Sequence, residues 1–263
     1  MTYIDIGANL THESFVHDLP AVLERAREAS VDRIIVTGAS RSGSVAAQQL
    51  AAAYPHFLYA TAGLHPHHAH EYDGDIDDLL RTLLRHDEVV AVGETGLDYN
   101  RDFSPREAQR FAFEQQLQIA LDVQKPLFLH QRDAHADFIA ILDVLRDRLP
   151  PAVVHCFTGE RDELVDYLDR GFHIGITGWI CDERRGQHLR DLVKLIPADR
   201  LMIETDAPYL LPRTLKPKPS HRRNEPAFLP HISEEIARDR DESVAVTALN
   251  ATATAQRFFR LPD

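Results

Sequence analysis

Cysteine is scarce in this sequence, and long apolar runs are absent from it. Only Cys156 and Cys181 occur among 263 residues, which is too few for a disulfide framework and suits a reducing compartment. No stretch of about 18 apolar residues occurs. The segment Met1–Leu10 also lacks the basic and apolar regions of a secretory leader. We therefore expect a cytoplasmic protein that does not act at a membrane.

Positive charge is also in short supply. Lys and Arg number 29 against 41 Asp and Glu, which gives a formal net charge of -12. A chain of this charge repels phosphate at long range, so a general nucleic-acid coat protein or a membrane-surface binder is a poor fit. Any function in nucleic-acid binding must depend on cations that are gathered locally.

Short β-branched runs alternate with longer segments of helical periodicity along the whole chain. The predicted strands are Tyr3–Ile6, Arg33–Thr37, Phe57–Ala62, Glu88–Gly93, Pro126–His130, Ala152–Cys156, Phe172–Ile176 and Leu201–Glu204. Amphipathic segments lie between them: Leu19–Ala29, Ser44–Tyr54, Ile76–Leu84, Arg106–Val123, Ala136–Leu149 and Asp162–Arg170. A closing helical region is predicted over Pro230–Phe259. Eight strand-to-helix units predict an α/β fold, a parallel (β/α)8 TIM barrel.

A doubly wound open sheet would show the same alternation. Such sheets usually carry a glycine-rich turn after the first strand, whereas the segment Asp5–Asn9 contains a single glycine. No linker-like composition, internal repeat or low-complexity tract divides the chain. The sequence therefore predicts one barrel domain that spans residues 1–263.

Polar side chains follow several predicted strands at the end where barrel active sites form. Glu94, His130, His155 and Asp206 each lie at or just after the carboxyl end of a different strand. Burying such groups is costly unless a cation or a proton-transfer task compensates. This mixed nitrogen and oxygen set suits a divalent cation with open coordination positions. A single histidine at a strand end is more often structural, but four convergent groups favour a metal site.

A histidine-rich loop follows the third predicted strand. Such a loop binds metal, binds phosphate or faces solvent, and the sequence leaves these alternatives open. We favour His65 and His67 as residues close to the site and place His68 and His70 at the surface.

A basic segment lies just after the last predicted strand. Residues 213–223 contain Arg213, Lys216, Lys218, Arg222 and Arg223 and no acidic residue. Most charge runs are solvated loops, but the position after Asp206 favours contact with substrate phosphates. The nearby rings of Trp179 and Tyr209 either stack on bases or pack under their loops.

Several motifs together resemble the TatD-type metal-dependent hydrolases of the amidohydrolase-like barrels. They are GLHPH (63–67), GETGLDY (93–99), PLFLHQRDAH (126–135), HCFTG (155–159), GITGWICDERRG (175–186), ETDAPYLLPR (204–213) and RRNEPAFLPHI (222–232). The resemblance implies a divalent-metal deoxyribonuclease that acts as a 3'-5' exonuclease on single-stranded DNA and RNA, possibly in DNA repair. It implies Mg2+ as the usual ion, with Mn2+ or Zn2+ as alternatives, and no obligate protein partner. The family's metal-binding residues correspond to Glu94, His130 and His155, and its motif aspartate to Asp206.

The first strand departs from the pattern of the wider family. Gly7-Ala8-Asn9 stands where related hydrolases carry a His-x-His pair. We therefore expect a loosely held, oxygen-rich site suited to Mg2+, which retains water and often completes its shell with substrate phosphate. In this hypothesis Asp206 binds or deprotonates the attacking water, and His65, His67, Arg222 and Arg223 bind substrate.

Two other functions fit the same residues. One is a metal-dependent ester or amide hydrolase, such as an aminoacyl-tRNA deacylase, which could use the same metal and water. The other is a nucleic-acid binding module that has lost catalysis. The intact set of Glu94, His130, His155 and Asp206 weighs against the second, because a pure binder has no need for buried titratable groups.

Overall fold

Eight parallel strands form one sheet in the computed structural model, which describes residues 1–262. The strands pair in sequence order and are β1 (Tyr3–Ala8), β2 (Val31–Val36), β3 (Leu58–Ala62), β4 (Val89–Asp98), β5 (Leu127–Arg132), β6 (Ala152–Val154), β7 (His173–Ile176) and β8 (Leu201–Ile203). The prediction of a (β/α)8 barrel is confirmed, and all eight predicted strands are present. Strand β4 is longer than predicted and continues through Asp98.

The barrel closes where the first and last strands meet at their carboxyl ends. Ala8 and Ala207 form an isolated parallel bridge. The amide of Asp206 donates to the carbonyl of Gly7 at 2.8 Å, and the amide of Asn9 donates to the carbonyl of Ala207 at 2.6 Å. Closure therefore takes place beside the polar groups that follow β8.

Helices cover the outside of the barrel. They are α1 (Leu19–Glu28), α2 (Arg41–Ala53), α3 (Gly74–Leu83), α4 (Arg106–Val123), α5 (His135–Val144), α6 (Arg161–Asp169), α7 (Gln187–Leu192), α8 (Leu229–Asp239) and α9 (Val244–Phe259). Short 3-10 helices occupy Glu13–Phe15, Pro66–Glu71, Gly178–Cys181, Val193–Leu195 and Pro226–Phe228. Helix α5 ends at Val144, five residues before the predicted Leu149, and residues 145–148 form turns. Among residues 1–262, no helix has both the length and the apolarity needed to cross a membrane.

Apolar side chains fill the barrel interior at the amino-terminal end of the strands. Ile4 and Ile6 of β1 cluster with side chains of other strands, among them Ile35, Tyr59, Val90, Phe128, Val153 and Met202. Phe258 and Phe259 of α9 and Leu261 pack beneath them. Burying each such side chain stabilises the fold by about 1.5 to 3 kcal/mol. One end of the barrel is thus packed with apolar groups, and polar chemistry is confined to the opposite mouth.

Candidate metal centre at the barrel mouth

A cavity of about 550 Å³ occupies the carboxyl-terminal mouth of the barrel. The predicted site residues that line it come from five different strands or the loops that follow them: His65, Glu94, His130, His155 and Asp206. His67 lines it too. The structure therefore brings together residues that are more than a hundred positions apart in the chain, as the strand-end pattern predicts.

The carboxylate of Glu94 is the centre of this group. Its Oε1 atom lies 2.8 Å from Nε2 of His155, 2.9 Å from Nδ1 of His130 and 3.3 Å from Nε2 of His65. Ligand atoms of His65, Glu94 and His130 all lie within 4.8 Å of one another. Three imidazole nitrogens thus converge on a single carboxylate oxygen.

The donor set fits a divalent cation. Nε2 of His130 is buried without a hydrogen-bond partner, and such an atom is costly unless something binds it. Burial lowers the pKa of His130 and of His155, but the neighbouring carboxylates outweigh it and both pKa values are raised. Burial raises the pKa of Glu94, but the surrounding imidazoles bring it well below its ordinary value. Imidazole and carboxylate donors in this arrangement are those of divalent metal sites.

Glu204 is a functional candidate that the sequence-based prediction did not include. It is fully buried after β8, and its Oε2 lies 3.3 Å from Nδ1 of His155. Its Oε1 accepts a hydrogen bond from the backbone amide of Cys156. A buried carboxylate behind a histidine ligand fixes the orientation of the ring and keeps the proton on the nitrogen that faces it, here Nδ1, so that Nε2 offers its lone pair. The sequence contains one indication of a role for Glu204, because it lies two residues before Asp206 in the same motif.

Glycine at position 7 makes room for Glu204. A Cβ at Gly7 would lie 2.4 Å from Oε2 of Glu204, and a Cβ at Gly175 would lie 2.5 Å from Oε1. No real Cβ makes such contacts, so the buried carboxylate needs both glycines. Strand β1 carries no His-x-His pair, and the carboxylate of Glu204 occupies the space beside Gly7 that a side chain at this position would need.

Asp206 lies at the same mouth and is oriented by Asn9. The Asn9 side-chain amide donates to Oδ1 of Asp206 at 2.9 Å. The pKa of Asp206 is raised to about 7, mainly by burial; the charge of His155 opposes this effect, and the charges of Glu94 and Glu204 add to it. The carboxylate is therefore placed and held beside the group around Glu94.

The hydrogen bonds of His65 define its tautomer. Nδ1 of His65 accepts the backbone amide of His67 at 3.1 Å, and burial lowers the pKa of His65 to about 4. A neutral imidazole that accepts at Nδ1 carries its proton on Nε2. The Nε2 atom that faces Glu94 is thus a donor.

A second carboxylate lies next to the histidine loop. Oδ2 of Asp98 lies 2.8 Å from Nε2 of His67 and 3.6 Å from Nε2 of His130. Burial raises the pKa of Asp98, but the two nearby imidazoles and hydrogen bonds from the backbone lower it overall. Asp98 therefore stays ionised and holds His67 at the cavity wall.

Aromatic side chains occur at the rim, as predicted. Trp179 and Tyr209 both line the cavity. The guanidinium of Arg185 lies 4.3 Å from the Trp179 ring centroid, and Tyr209 is 51% exposed. The ring of Tyr209 is therefore accessible for stacking, whereas Trp179 is partly buried and one face of its ring is covered by Arg185.

The basic segment has a different placement from the one expected. Arg222 and Arg223 do not line the cavity. Arg223 binds both oxygens of Asp18, at 2.8 and 2.7 Å, and Oε1 of Glu225 at 2.7 Å. Its guanidinium is therefore committed to holding the loop against α1. Arg213 is paired with Glu183, whereas Arg222 is exposed and has no ion-pair partner among residues 1–262.

Cys156 lies at the end of the predicted strand Ala152–Cys156, in which period-two alternation would turn its side chain to the side opposite His155 and away from the mouth. Strand β6 ends at Val154, and Cys156 has a left-handed φ of 46°. Period-two alternation applies only within a strand. Cys156 therefore lines the same cavity as His155.

Fold and site together define an amidohydrolase-like TIM-barrel hydrolase. An uncharacterised amidohydrolase from Saccharomyces cerevisiae superimposes with a TM-score of 0.86 at 24% identity, covering 98% of this chain and 99% of that chain, a likeness of fold alone. A TatD homologue from Escherichia coli K12 superimposes with a TM-score of 0.89 at 28% identity, covering 99% of this chain and 98% of that chain.

Sequence comparison identifies the family. A family model described as TatD related DNase matches residues 4–260, so the chain belongs to the TatD-related DNase family. A relative from Edwardsiella piscicida, named 3'-5' ssDNA/RNA exonuclease TatD, is 54% identical over 258 residues, covering 98% of this chain and 99% of the relative. A relative of the same name from Pantoea ananatis is 49% identical over 257 residues, covering 98% of this chain and 99% of the relative. The predicted family and enzyme class, a nuclease among the hydrolases, are confirmed.

Proposed function

We propose that this protein is a divalent-metal-dependent 3'-5' exonuclease that hydrolyses phosphodiester bonds of single-stranded DNA and RNA. The observation that carries the proposal is the convergence of imidazole nitrogens on Oε1 of Glu94, with His155 at 2.8 Å and His130 at 2.9 Å. The relatives named as exonucleases support the choice of substrate and polarity.

The proposed metal-binding residues are Glu94, His130, His155 and Asp206. His65 is left out of this set despite its proximity, because its tautomer points a proton, and not a lone pair, at the shared oxygen. We assign His65 and His67 to substrate binding instead. Mg2+ is the proposed ion, since two carboxylates and open positions suit an ion that retains water, and Mn2+ and Zn2+ are the alternatives.

A divalent cation held by these residues would polarise the scissile phosphate and lower the pKa of a water molecule. Asp206 is positioned to take a proton from the attacking water, because Asn9 holds only its Oδ1. His65 offers its Nε2 proton to a phosphate oxygen in the cavity. Lys216, Lys218 and Arg222 are exposed outside the cavity, where they can neutralise phosphates of the departing strand.

End-labelled single strands test the proposal. Metal-stripped protein is incubated with 3'-labelled or 5'-labelled DNA and RNA, and Mg2+, Mn2+ or Zn2+ is added back separately. We expect metal-dependent release of the 3' label as mononucleotide while the 5' label stays on shortening strands. Prior release of the 5' label, or full activity without metal, would overturn the proposal. Hydrolysis of aminoacyl-tRNA esters without shortening of any strand would favour a deacylase.

The cellular setting is part of the same proposal. Cys156 and Cys181 are both free thiols, which suits the reducing cytoplasm. We propose that the protein acts there without an obligate partner, and that DNA repair is one use of its activity. Fractionation of cells tests the location, and the DNA-damage sensitivity of a strain that lacks the protein tests the use in DNA repair.

A further inference from the structure

A smaller cavity opens from the wall of the main one. It measures about 260 Å³, and five residues line both cavities: Gln131, Arg132, Thr158, Trp179 and Arg185. Its remaining walls come from the ends of β5 and β6, from α6 and from α7, and include Phe157, Tyr167 and His188. Ligand pockets for drug-sized molecules are commonly 300 to 1,000 Å³. The side pocket is smaller than this range, so its size suits one small part of a ligand whose remainder lies in the main cavity.

The walls of the side pocket are held by hydrogen bonds that the catalytic proposal does not use. The side-chain amide of Gln131 donates to the hydroxyl of Tyr167 at 2.8 Å and to Oε1 of Glu163 at 3.2 Å. The Tyr167 hydroxyl also lies 3.1 Å from Nδ1 of His135. Gly159 must be glycine here, since a Cβ would lie 2.0 Å from Oε2 of Glu163. The pocket is thus shaped in advance and presents polar groups.

Arg132 stands at the junction of the two cavities. It follows His130 by two residues at the end of β5, and residues two apart on a strand project from the same face. It is partly buried, and among residues 1–262 no carboxylate forms an ion pair with it. Arg185, which lines both cavities too, is instead paired with Asp182 at 2.9 Å. An unpaired guanidinium in a polar cleft matches the geometry of a phosphate.

We propose that the side pocket binds the nucleoside of the 3'-terminal nucleotide, while Arg132 binds its phosphate. This inference rests on the proposed exonuclease function and deepens it. Tyr167 of α6 is fully buried and lines the pocket, and in this proposal a chain end enters the pocket whereas an internal segment does not pass through it. The main cavity is larger and reaches the exposed ring of Tyr209, and the rest of the strand leaves on that side. The shape of the pocket thereby restricts cleavage to the end of the strand.

The reaction balances in this arrangement. The water oxygen forms a bond to the phosphorus of the terminal nucleotide, and the bond from phosphorus to O3' of the preceding nucleotide breaks. Of the two water protons, one stays on the new phosphate oxygen until solvent takes it up, and the other goes to Asp206 and is passed on through solvent to the leaving O3', which becomes the new 3'-hydroxyl. The product in the side pocket is a nucleoside 5'-monophosphate, with its phosphate against Arg132.

Two synthetic diesters separate this inference from the proposed function. Thymidine 5'-(p-nitrophenyl phosphate) carries a nucleoside on the reacting phosphate, and bis(p-nitrophenyl) phosphate does not. In wild-type protein with Mn2+ we expect a higher kcat/KM for the nucleotide ester. Thr158→Tyr, which fills the side pocket, is expected to lower the ratio of the two kcat/KM values at least tenfold. An unchanged ratio overturns the inference, whereas hydrolysis of neither ester by wild-type protein overturns the proposed function.

Product inhibition provides a second measurement that does not depend on filling the pocket. Arg132→Ala is expected to raise the inhibition constant of thymidine 5'-monophosphate at least tenfold and to leave that of thymidine within twofold. Arg184→Ala removes the same charge from an exposed residue that lines neither cavity, and is expected to change neither constant. Equal effects of Arg132→Ala on nucleotide and nucleoside would overturn the assignment of the phosphate to Arg132.

Discussion

Glu204→Gln is a nearly isosteric change whose effect follows from the hydrogen bonds around it. One Glu204 oxygen accepts the amide proton of Cys156, and the other faces Nδ1 of His155. The glutamine oxygen must stay with the Cys156 amide, so its NH2 group turns toward His155. A donor then faces Nδ1, which loses its proton, and the proton moves to Nε2. The lone pair that faces Glu94 is lost from the neutral ring.

The expected size of the effect is that of losing an oriented partner behind a metal ligand. Such losses cost about 10-fold to 100-fold in metal affinity, or about 1.4 to 2.7 kcal/mol. The assay is calorimetric titration of metal-stripped protein with Mn2+, checked by the electron paramagnetic resonance signal of the free ion. Circular dichroism establishes that the variant is folded.

Glu235→Gln is the matched control for this experiment. Glu235 is also a buried glutamate, 4% exposed, but it lies on α8 and its partner is Arg238 at 2.8 Å. We expect its Mn2+ affinity to equal that of wild-type protein. If Glu204→Gln binds Mn2+ as tightly as the control, Glu204 does not position His155 for a metal, and the reasoning is refuted.

Three further substitutions test other parts of the molecule. Asp206→Asn should lower kcat by at least about 100-fold while single-strand binding, followed by fluorescence anisotropy, is retained; substantial turnover would contradict its assigned role. Arg223→Ala should lower the free energy of unfolding by about 1.5 to 3 kcal/mol in urea denaturation, because it removes one of the two arginines, Arg25 and Arg223, that bind Asp18 and Glu225, whereas Arg222→Ala should change it by less than about 0.5 kcal/mol; equal effects would contradict the assignment of these ion pairs to Arg223. Burial raises the pKa of Asp5 from 3.8 to about 7, so the folded protein holds this proton more tightly than the unfolded chain does. The stabilisation is present below pH 3.8 and is lost as the pH rises to about 7. The free energy of unfolding of Asp5→Asn should therefore fall less than that of wild-type protein over this range, and identical pH profiles would count against it.

Sequence periodicity was sufficient for the barrel and for much of its mouth. Parallel strands buried on both faces read as short apolar runs, and eight of them leave few topologies open. In a (β/α)8 barrel the carboxyl ends of all strands meet at one mouth. The positions of Glu94, His130 and His155 at strand ends are therefore enough to group them as one candidate metal site. The family motifs supplied the chemistry that the grouping alone does not determine.

Other features depend on contacts that periodicity does not encode. Arg223 and Arg132 are both arginines near the mouth, yet one meets carboxylates from α1 and its own loop while the other meets none. The sequence does not distinguish Glu204 from other strand-end residues, because the space for its buried carboxylate depends on the absence of a side chain at Gly7. Cys156 turns toward the mouth because the strand ends two residues earlier than predicted, at Val154. Each depends on neighbours that are distant in sequence.

Joining of the first and last strands makes the reaction centre the final part of the molecule to be assembled. Asp206 is held by the carbonyl of Gly7 and by Asn9, so neither half of the polypeptide can orient it alone. A folding intermediate with an open ring would have its histidines in place and no competent base. Recovery of turnover during refolding should therefore report the moment at which the ring closes.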